Sequence, residues 1–308
     1  MKKLSFFALA LAAVAFAATG CKNSGNTQTA DTLSADSIDS IETAVAPDTL
    51  AVSSVVFEEK RDSTAECSIR IDFPTGSDEF SQAVRDFIAG ELASVSSSQT
   101  EDGARASKKT TATVSNLKEA RQLVNSCGKK TMKRLVKEYN DMAADMQEGG
   151  YSVPQMSDSY EMHKVAETSK YVTYLMTGYT YLGGAHGSSF GNSVNISKVS
   201  RKPITQSIVS GKLKALQPIL RKGVVRYMRE CGMTEVNNKN LNEYLLLSDE
   251  SKGLIPLPAN APYVDKDSLC FIYQQYEIAP YAMGLVSFNV SLKEIKPFLT
   301  KEVRDITE

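Results

Sequence analysis

The chain has no tryptophan and only two histidines, His163 and His186, set 23 positions apart. With no Cys-x-x-Cys or His-x-His pair beside them, the usual zinc patterns are excluded, and so is a dithiol redox motif. Net charge is nearly nil too: 35 Lys plus Arg stand against 36 Asp plus Glu. No global field therefore points to nucleic acid. The apolar run Leu4 to Ala18 holds about 15 residues, short of the ~20 that a membrane-spanning helix needs. No motif asks for a cofactor. What remains is a chain of 308 residues, 42% apolar and 23% charged, which is a globular composition with room for one or two domains.

Lys2 and Lys3, the apolar run, and the small residues Thr19 and Gly20 directly before Cys21 form an export pattern. Their order resembles a bacterial lipoprotein signal. That resemblance implies removal of residues 1–20, lipid on Cys21 and a membrane partner through that lipid. Lys22 to Gly25 bring no acidic cluster, so the expected location is the envelope, facing the periplasm. Residues 21–56 lack aromatics until Phe57 and are rich in Ser, Thr, Ala and Asp, a composition that cannot bury enough apolar surface to offset ordering. They read as a flexible acidic tether. Residues 22–66 hold 3 basic and 9 acidic groups, and the chain beyond them 30 and 27, so the body is close to neutral.

In the body, Cys67 to Phe73 alternates polar and apolar residues up to Pro74, as a half-buried strand does. Phe80, Val84, Phe87, Ile88 and Leu92 recur at helical spacing, and so do Met132, Leu135, Tyr139, Met142 and Met146, closed by Gly149-Gly150. Ser96 to Thr113 reads as a polar loop. Tyr160 to Lys170 and Tyr171 to Tyr181 are rich in β-formers, and Asn192 to Lys198 alternates again. A helical stripe runs from Leu213 to Tyr227, with Pro218 expected near its first turn. Tyr263 to Gln274 reads as a hairpin around Asp265-Lys266-Asp267, Val286 to Val290 as the last strand, and Leu292 to Leu299 as a short closing helix. The expected class is α+β, mainly antiparallel strands with covering helices, as two small subdomains or one composite domain. The boundaries expected from sequence are 57–155 for an N-terminal companion domain and 156–308 for a C-terminal domain.

Gly187-Ser188-Ser189-Phe190-Gly191 matches the G-x-S-x-G hydrolase pattern, but a strand-like segment follows it and no histidine lies downstream. Cys67, Cys127, Cys231 and Cys270 allow three pairings into two disulfides or, equally, four free thiols. More informative are Tyr181-Leu182-Gly183-Gly184-Ala185-His186-Gly187 and Tyr276-Glu277-Ile278-Ala279-Pro280-Tyr281-Ala282-Met283-Gly284. In the first, glycines allow a turn that presents one imidazole. In the second, tyrosines with hydroxyl tips surround one carboxylate, a set suited to sugar faces and protein partners.

These two motifs, about 90 residues apart, resemble the RsiV-like C-terminal domain of unknown function. That domain occurs in a lysozyme-sensing anti-sigma factor, beside some peptidoglycan deacetylase domains, and in many lipoproteins. The match spans roughly 165–300, and residues 55–150 more weakly resemble the domain that often precedes it. The resemblance implies a non-catalytic extracytoplasmic module that binds peptidoglycan fragments or a lysozyme-type muramidase. By motif, Tyr181, His186, Tyr276, Glu277 and Tyr281 would contact ligand, and Gly183, Gly184, Gly187, Pro280 and Gly284 would shape the turns. The basic stretch Ser197 to Pro203 departs from the family pattern. Two other readings stand beside this one: a glycan-directed hydrolase using Glu277 as acid, which has one carboxylate where two are needed, and a purely structural envelope protein.

Overall fold

The computed structural model describes residues 49–97, 113–147 and 152–308. The expected export segment, Cys21, most of the tether and of the 96–113 loop, and Gly149-Gly150 lie outside these residues.

Strand β1 (Val52–Arg61) pairs antiparallel with β2 (Ala65–Pro74). In β2 the buried set is Ala65, Cys67, Ile69, Ile71 and Phe73, and Arg70 and Asp72 turn to the other face, as the period of two requires. Helices α1 (Glu79–Ser97) and α2 (Leu117–Gln147) follow, and β3 (Met156–Glu167) then pairs parallel with β2. A parallel neighbour needs a crossover, and the two helices provide it while covering one sheet face. β4 (Tyr171–Tyr181) and β5 (Ser188–Ser197) complete a five-stranded sheet in the order β1-β2-β3-β4-β5.

The second layer is built on α3 (Leu213–Glu230) and a three-stranded antiparallel sheet of β6 (Tyr263–Asp265), β7 (Ser268–Tyr273) and β8 (Val286–Ser291). Leu216, Leu220, Val224 and Met228 of α3 join Phe271, Tyr273 and Phe288 in its core. Short helices α4 (Leu292–Ile295) and α5 (Lys301–Thr307) close the chain. The fold is α+β with two subdomains, mostly antiparallel. Among the described residues no helix is long and apolar enough to cross a membrane.

Several expectations need correcting. β1 begins at Val52, so the last residues assigned to the tether are strand: Glu167 accepts a hydrogen bond from the Leu50 amide at 2.8 Å and pins the start of β1. The boundary expected at 155/156 is crossed by the five-stranded sheet, because β3 adds to β2. The two cores instead divide after Ile196, with Tyr171 alone of β4 in the second. Pro218 lies in the second turn of α3, not the first. The closing helix expected over Leu292 to Leu299 is α4 followed by a 3₁₀ turn holding Pro297, and a further helix, α5, not expected from the sequence, starts at the Thr300 cap. Cys67, Cys127, Cys231 and Cys270 form no disulfide.

Side-chain amides join the two cores. Asn195 at 2% exposure accepts from the Val264 amide at 2.6 Å and donates to the Val264 carbonyl at 3.0 Å. Gln274 does the same to Gly191, donating at 2.8 Å and accepting at 3.3 Å. Each amide mimics a peptide unit of a neighbouring strand. Asn195, on β5, thus satisfies backbone groups of β6, and Gln274 satisfies those of Gly191 on β5, at the edge of its sheet.

Candidate functional site

After β4 the chain turns at Gly183 and Gly184, with φ of +87° and +89°, a region that favours glycine. The Tyr181 hydroxyl donates to the Gly184 carbonyl at 3.1 Å and holds this turn. His186 is exposed at its end, with Nδ1 3.1 Å from the Gly187 carbonyl. A carbonyl only accepts, so Nδ1 is the donor in this contact. Gly187 itself is buried, and a Cβ there would lie 2.4 Å from the Tyr179 phenol. The glycine is what lets that ring lie against the backbone.

The second motif leaves β7 as a braced loop. Glu277 accepts from the Gln274 amide at 2.7 Å and the Ala259 amide at 2.6 Å, so each carboxylate oxygen holds a backbone N–H. Ile278 and Ala279 are buried. Pro280 leads into a 3₁₀ turn over Tyr281–Met283 that ends at Gly284, and the Tyr227 hydroxyl donates to the Met283 carbonyl at 2.6 Å. Tyr276 sits in the left-handed region at φ 64° with 56% of its surface exposed, a conformation uncommon for a bulky residue.

The two motifs meet. Tyr281 stacks on His186 with ring centroids 3.7 Å apart and planes 20° from parallel, and its hydroxyl donates to the Gly187 carbonyl at 2.8 Å. Tyr276 lies beside Tyr281 at 5.9 Å. The Ser189 amide donates to Gln275 at 2.8 Å and fixes the loop to β5. Tyr179, 41% exposed, extends this surface; burial first, then the neighbouring Tyr281 and Tyr181 hydroxyls, raise its phenol above the ordinary 10.0.

Of the residues expected to contact ligand, the structure gathers His186, Tyr276 and Tyr281, with Tyr181 holding the turn beside them. Glu277 is not presented with them; its oxygens are taken up by the Gln274 and Ala259 amides. Tyr179 was missed, though its spacing of two from Tyr181 places both on one strand face. Ser189 lies within β5 and not on a strand-to-helix turn, which removes the hydrolase pattern's geometry. Among the described residues no group of three or more His, Cys, Asp or Glu is arranged to hold a metal ion.

Two family models match this chain. Residues 206–293 match the one described as a protein of unknown function (DUF3298), and residues 60–189 match Deacetylase PdaC. No curated protein matches. Among solved structures, a member of the DUF3298 family from Bacteroides fragilis is similar at 15% identity and a TM-score of 0.57, over 85% of this chain and 99% of its own. A DUF3298 family protein from Pseudomonas aeruginosa is similar at 11% identity and a TM-score of 0.50, over 83% and 97%. At these identities the likeness is one of fold. His186 and Gly187 fall in the segment matched by residues 60–189, and Tyr276 to Tyr281 in the one matched by residues 206–293. The chain thus carries a DUF3298 domain, of unknown function and consistent with the RsiV-like resemblance, after a PdaC-like segment, and the aromatic stack joins the two.

Proposed function

We propose that this chain is an envelope-associated protein, lipid-anchored at Cys21 and facing the periplasm, whose body binds a peptidoglycan fragment or a lysozyme-type muramidase without transforming it. The observation behind the reading is the stack of His186 on Tyr281 with Tyr276 beside it. Exposed aromatic faces with hydroxyl tips bind the apolar faces of sugars and anchor protein partners. The surface is also preorganised, which lowers the ordering cost of binding. Tyr276 is held out by a strained backbone, and the Glu277 brace fixes its loop. The family model matched by residues 60–189 is named for a deacetylase, which supports an association with the cell wall. Glu277, with each oxygen on a backbone amide, is poorly placed to act as the acid of a hydrolase.

The test is a titration of the purified chain with soluble peptidoglycan fragments and, separately, with lysozyme, alongside Tyr276→Ala and His186→Ala. The expected outcome is saturable binding of one of the two ligands, weakened at least about tenfold in either variant, with melting temperatures close to that of the parent. Absence of saturable binding to both overturns the reading. Anchoring is checked separately: metabolic labelling with a fatty acid should mark the parent and not Cys21→Ala.

A further inference from the structure

Helix α2 segregates its charge in a way that its own stability does not explain. Between Glu119 and Glu138 it carries Arg121, Lys129, Lys130, Lys133, Arg134 and Lys137 and no acid. Arg134 turns inward to Asp158 at 2.7 Å, and Lys137 pairs with Asp141 at 2.6 Å. Lys118, Arg121, Lys129, Lys130 and Lys133 are exposed, and among the described residues no carboxylate lies within ion-pair distance of them. At 3.6 residues per turn these side chains fall within about half the helix circumference, on the side away from the sheet, and from Arg121 to Lys137 they extend ~24 Å.

A solvated face selected for stability alternates signs at a spacing of four. Here Lys129 and Lys133, Lys133 and Lys137, and Lys130 and Arg134 are like-charge pairs at that spacing, each working against the helix. The acids Asp141 and Asp145 stand near the C-terminal end, where the helix dipole disfavours them. Apart from the Lys137–Asp141 pair, the arrangement thus runs counter to both local electrostatic rules.

We propose that the exposed face of α2 is a docking surface for an anionic phospholipid membrane. The stripe runs along a single unbroken helix, Leu117–Gln147, and so presents its cations in one line to a planar partner. Gln122, Asn125 and Ser126 lie exposed among the cations, and no exposed apolar or aromatic side chain interrupts them from Lys118 to Lys137. Contact would therefore be electrostatic, without insertion and without rings for stacking bases. It is independent of the aromatic site and does not require the lipid on Cys21, although a second weak attachment is what a single-site anchor gains most from.

The experiment is co-sedimentation of the purified full chain with vesicles of phosphatidylcholine alone and of phosphatidylcholine with about one third phosphatidylglycerol. Insertion of the apolar N-terminal run contributes to both vesicle types, so the ratio of the two partition coefficients isolates the charge effect. We expect a ratio of at least about ten at low salt, falling toward one as salt rises. Lys129→Glu/Lys130→Glu/Lys133→Glu should abolish the preference, and Lys129→Gln/Lys130→Gln/Lys133→Gln should lower it. Lys212→Glu/Lys214→Glu/Lys239→Glu, with the same change in net charge at exposed positions outside α2, should retain it. A ratio near one for the parent overturns the proposal, as does equal loss in both Glu triples. Inorganic polyphosphate binding through the α2 lysines without any vesicle preference also overturns it, and assigns the face to a soluble polyanion.

Discussion

Replacing Glu277 with Gln separates a structural carboxylate from a catalytic one. In the parent, the two oxygens accept from the Gln274 and Ala259 amides at 2.7 and 2.6 Å. Gln is isosteric but keeps one acceptor, and its NH₂ group must face the second amide, donor against donor. A hydrogen bond to a charged group contributes about 1.5–3 kcal/mol, and the surviving bond drops to the neutral range of ~0.5–1.5 kcal/mol. Glu277 is half-buried, so water recovers part of this, and a net loss of about 2 kcal/mol is expected. For a chain of this size that lowers the melting temperature by roughly 4–8 °C. Thermal melts of Glu277→Gln and parent give this value, and the titration above gives the second: affinity falls because Tyr276 and Tyr281 flank the loosened brace. A variant that melts like the parent while losing all processing of a glycan substrate would refute the brace and restore the hydrolase reading.

Three further outcomes follow from the packing. Asn195→Ala leaves the buried amide and carbonyl of Val264 without partners and should cost about 3–4 kcal/mol in denaturant unfolding; a loss below about 1 kcal/mol would mean that these groups are satisfied otherwise. Gly128→Ala gains ~1 kcal/mol of helix propensity, yet its Cβ would fall 2.2 Å from the ring of buried Phe57, so overpacking of about 1–3 kcal/mol should win and the melting temperature fall. Burial alone would raise Glu167, but hydrogen bonds from Lys164, Lys198 and the Leu50 amide outweigh it and hold the carboxyl below its ordinary 4.5. A depressed folded-state value adds stability above about pH 4.5 that is lost as pH falls through it, so the stability gap between parent and Glu167→Gln should be widest at neutral pH and close in acid. A gap independent of pH would contradict this.

Where the sequence pattern was strong, it carried through to the fold. The alternation of Cys67 to Phe73 and the β-rich run to Tyr181 became β2, β3 and β4, and the hairpin at Asp265-Lys266-Asp267 formed as read. The N-terminal half of α2 was illegible because its buried residues, Ala120, Val124, Cys127 and Gly128, are small. Gly128 lets Phe57 lie against the helix, so a helix-breaking residue marks a close contact there. The parallel pairing of β2 with β3 was equally hidden: a strand alternates in the same way whichever direction its neighbour runs, and only the two crossover helices decide. At the site, both motifs were visible one at a time. Their adjacency was not, because it rests on hydrogen bonds between residues more than 80 positions apart, from Tyr281 to Gly187 and from Gln274 to Gly191. Glu277 drew attention as the single charge in an aromatic motif. Nothing in the spacing showed that its oxygens would be taken up by the backbone of its own loop and of Ala259.

The Gly187 carbonyl explains why the site lies where the two cores join. It accepts from His186 Nδ1 on its own side and from the Tyr281 hydroxyl across the junction, using both lone pairs. Each core alone would supply half the surface: His186 without the ring it stacks on, or Tyr281 without the acceptor that orients it. The aromatic surface therefore exists only while the amide bridges of Asn195 and Gln274 hold. A ligand spanning His186 and Tyr276 binds only that docked arrangement, and so it stabilises the arrangement by about 2.7 kcal/mol at a hundredfold excess over its dissociation constant. By the same linkage, apparent affinity falls in proportion as the docked fraction falls. The costs expected for Asn195→Ala are large enough to reach that regime although Asn195 is buried and lies outside the aromatic surface. Ligand binding and core docking are then two readings of one equilibrium, and excess ligand should recover part of the stability that Asn195→Ala removes.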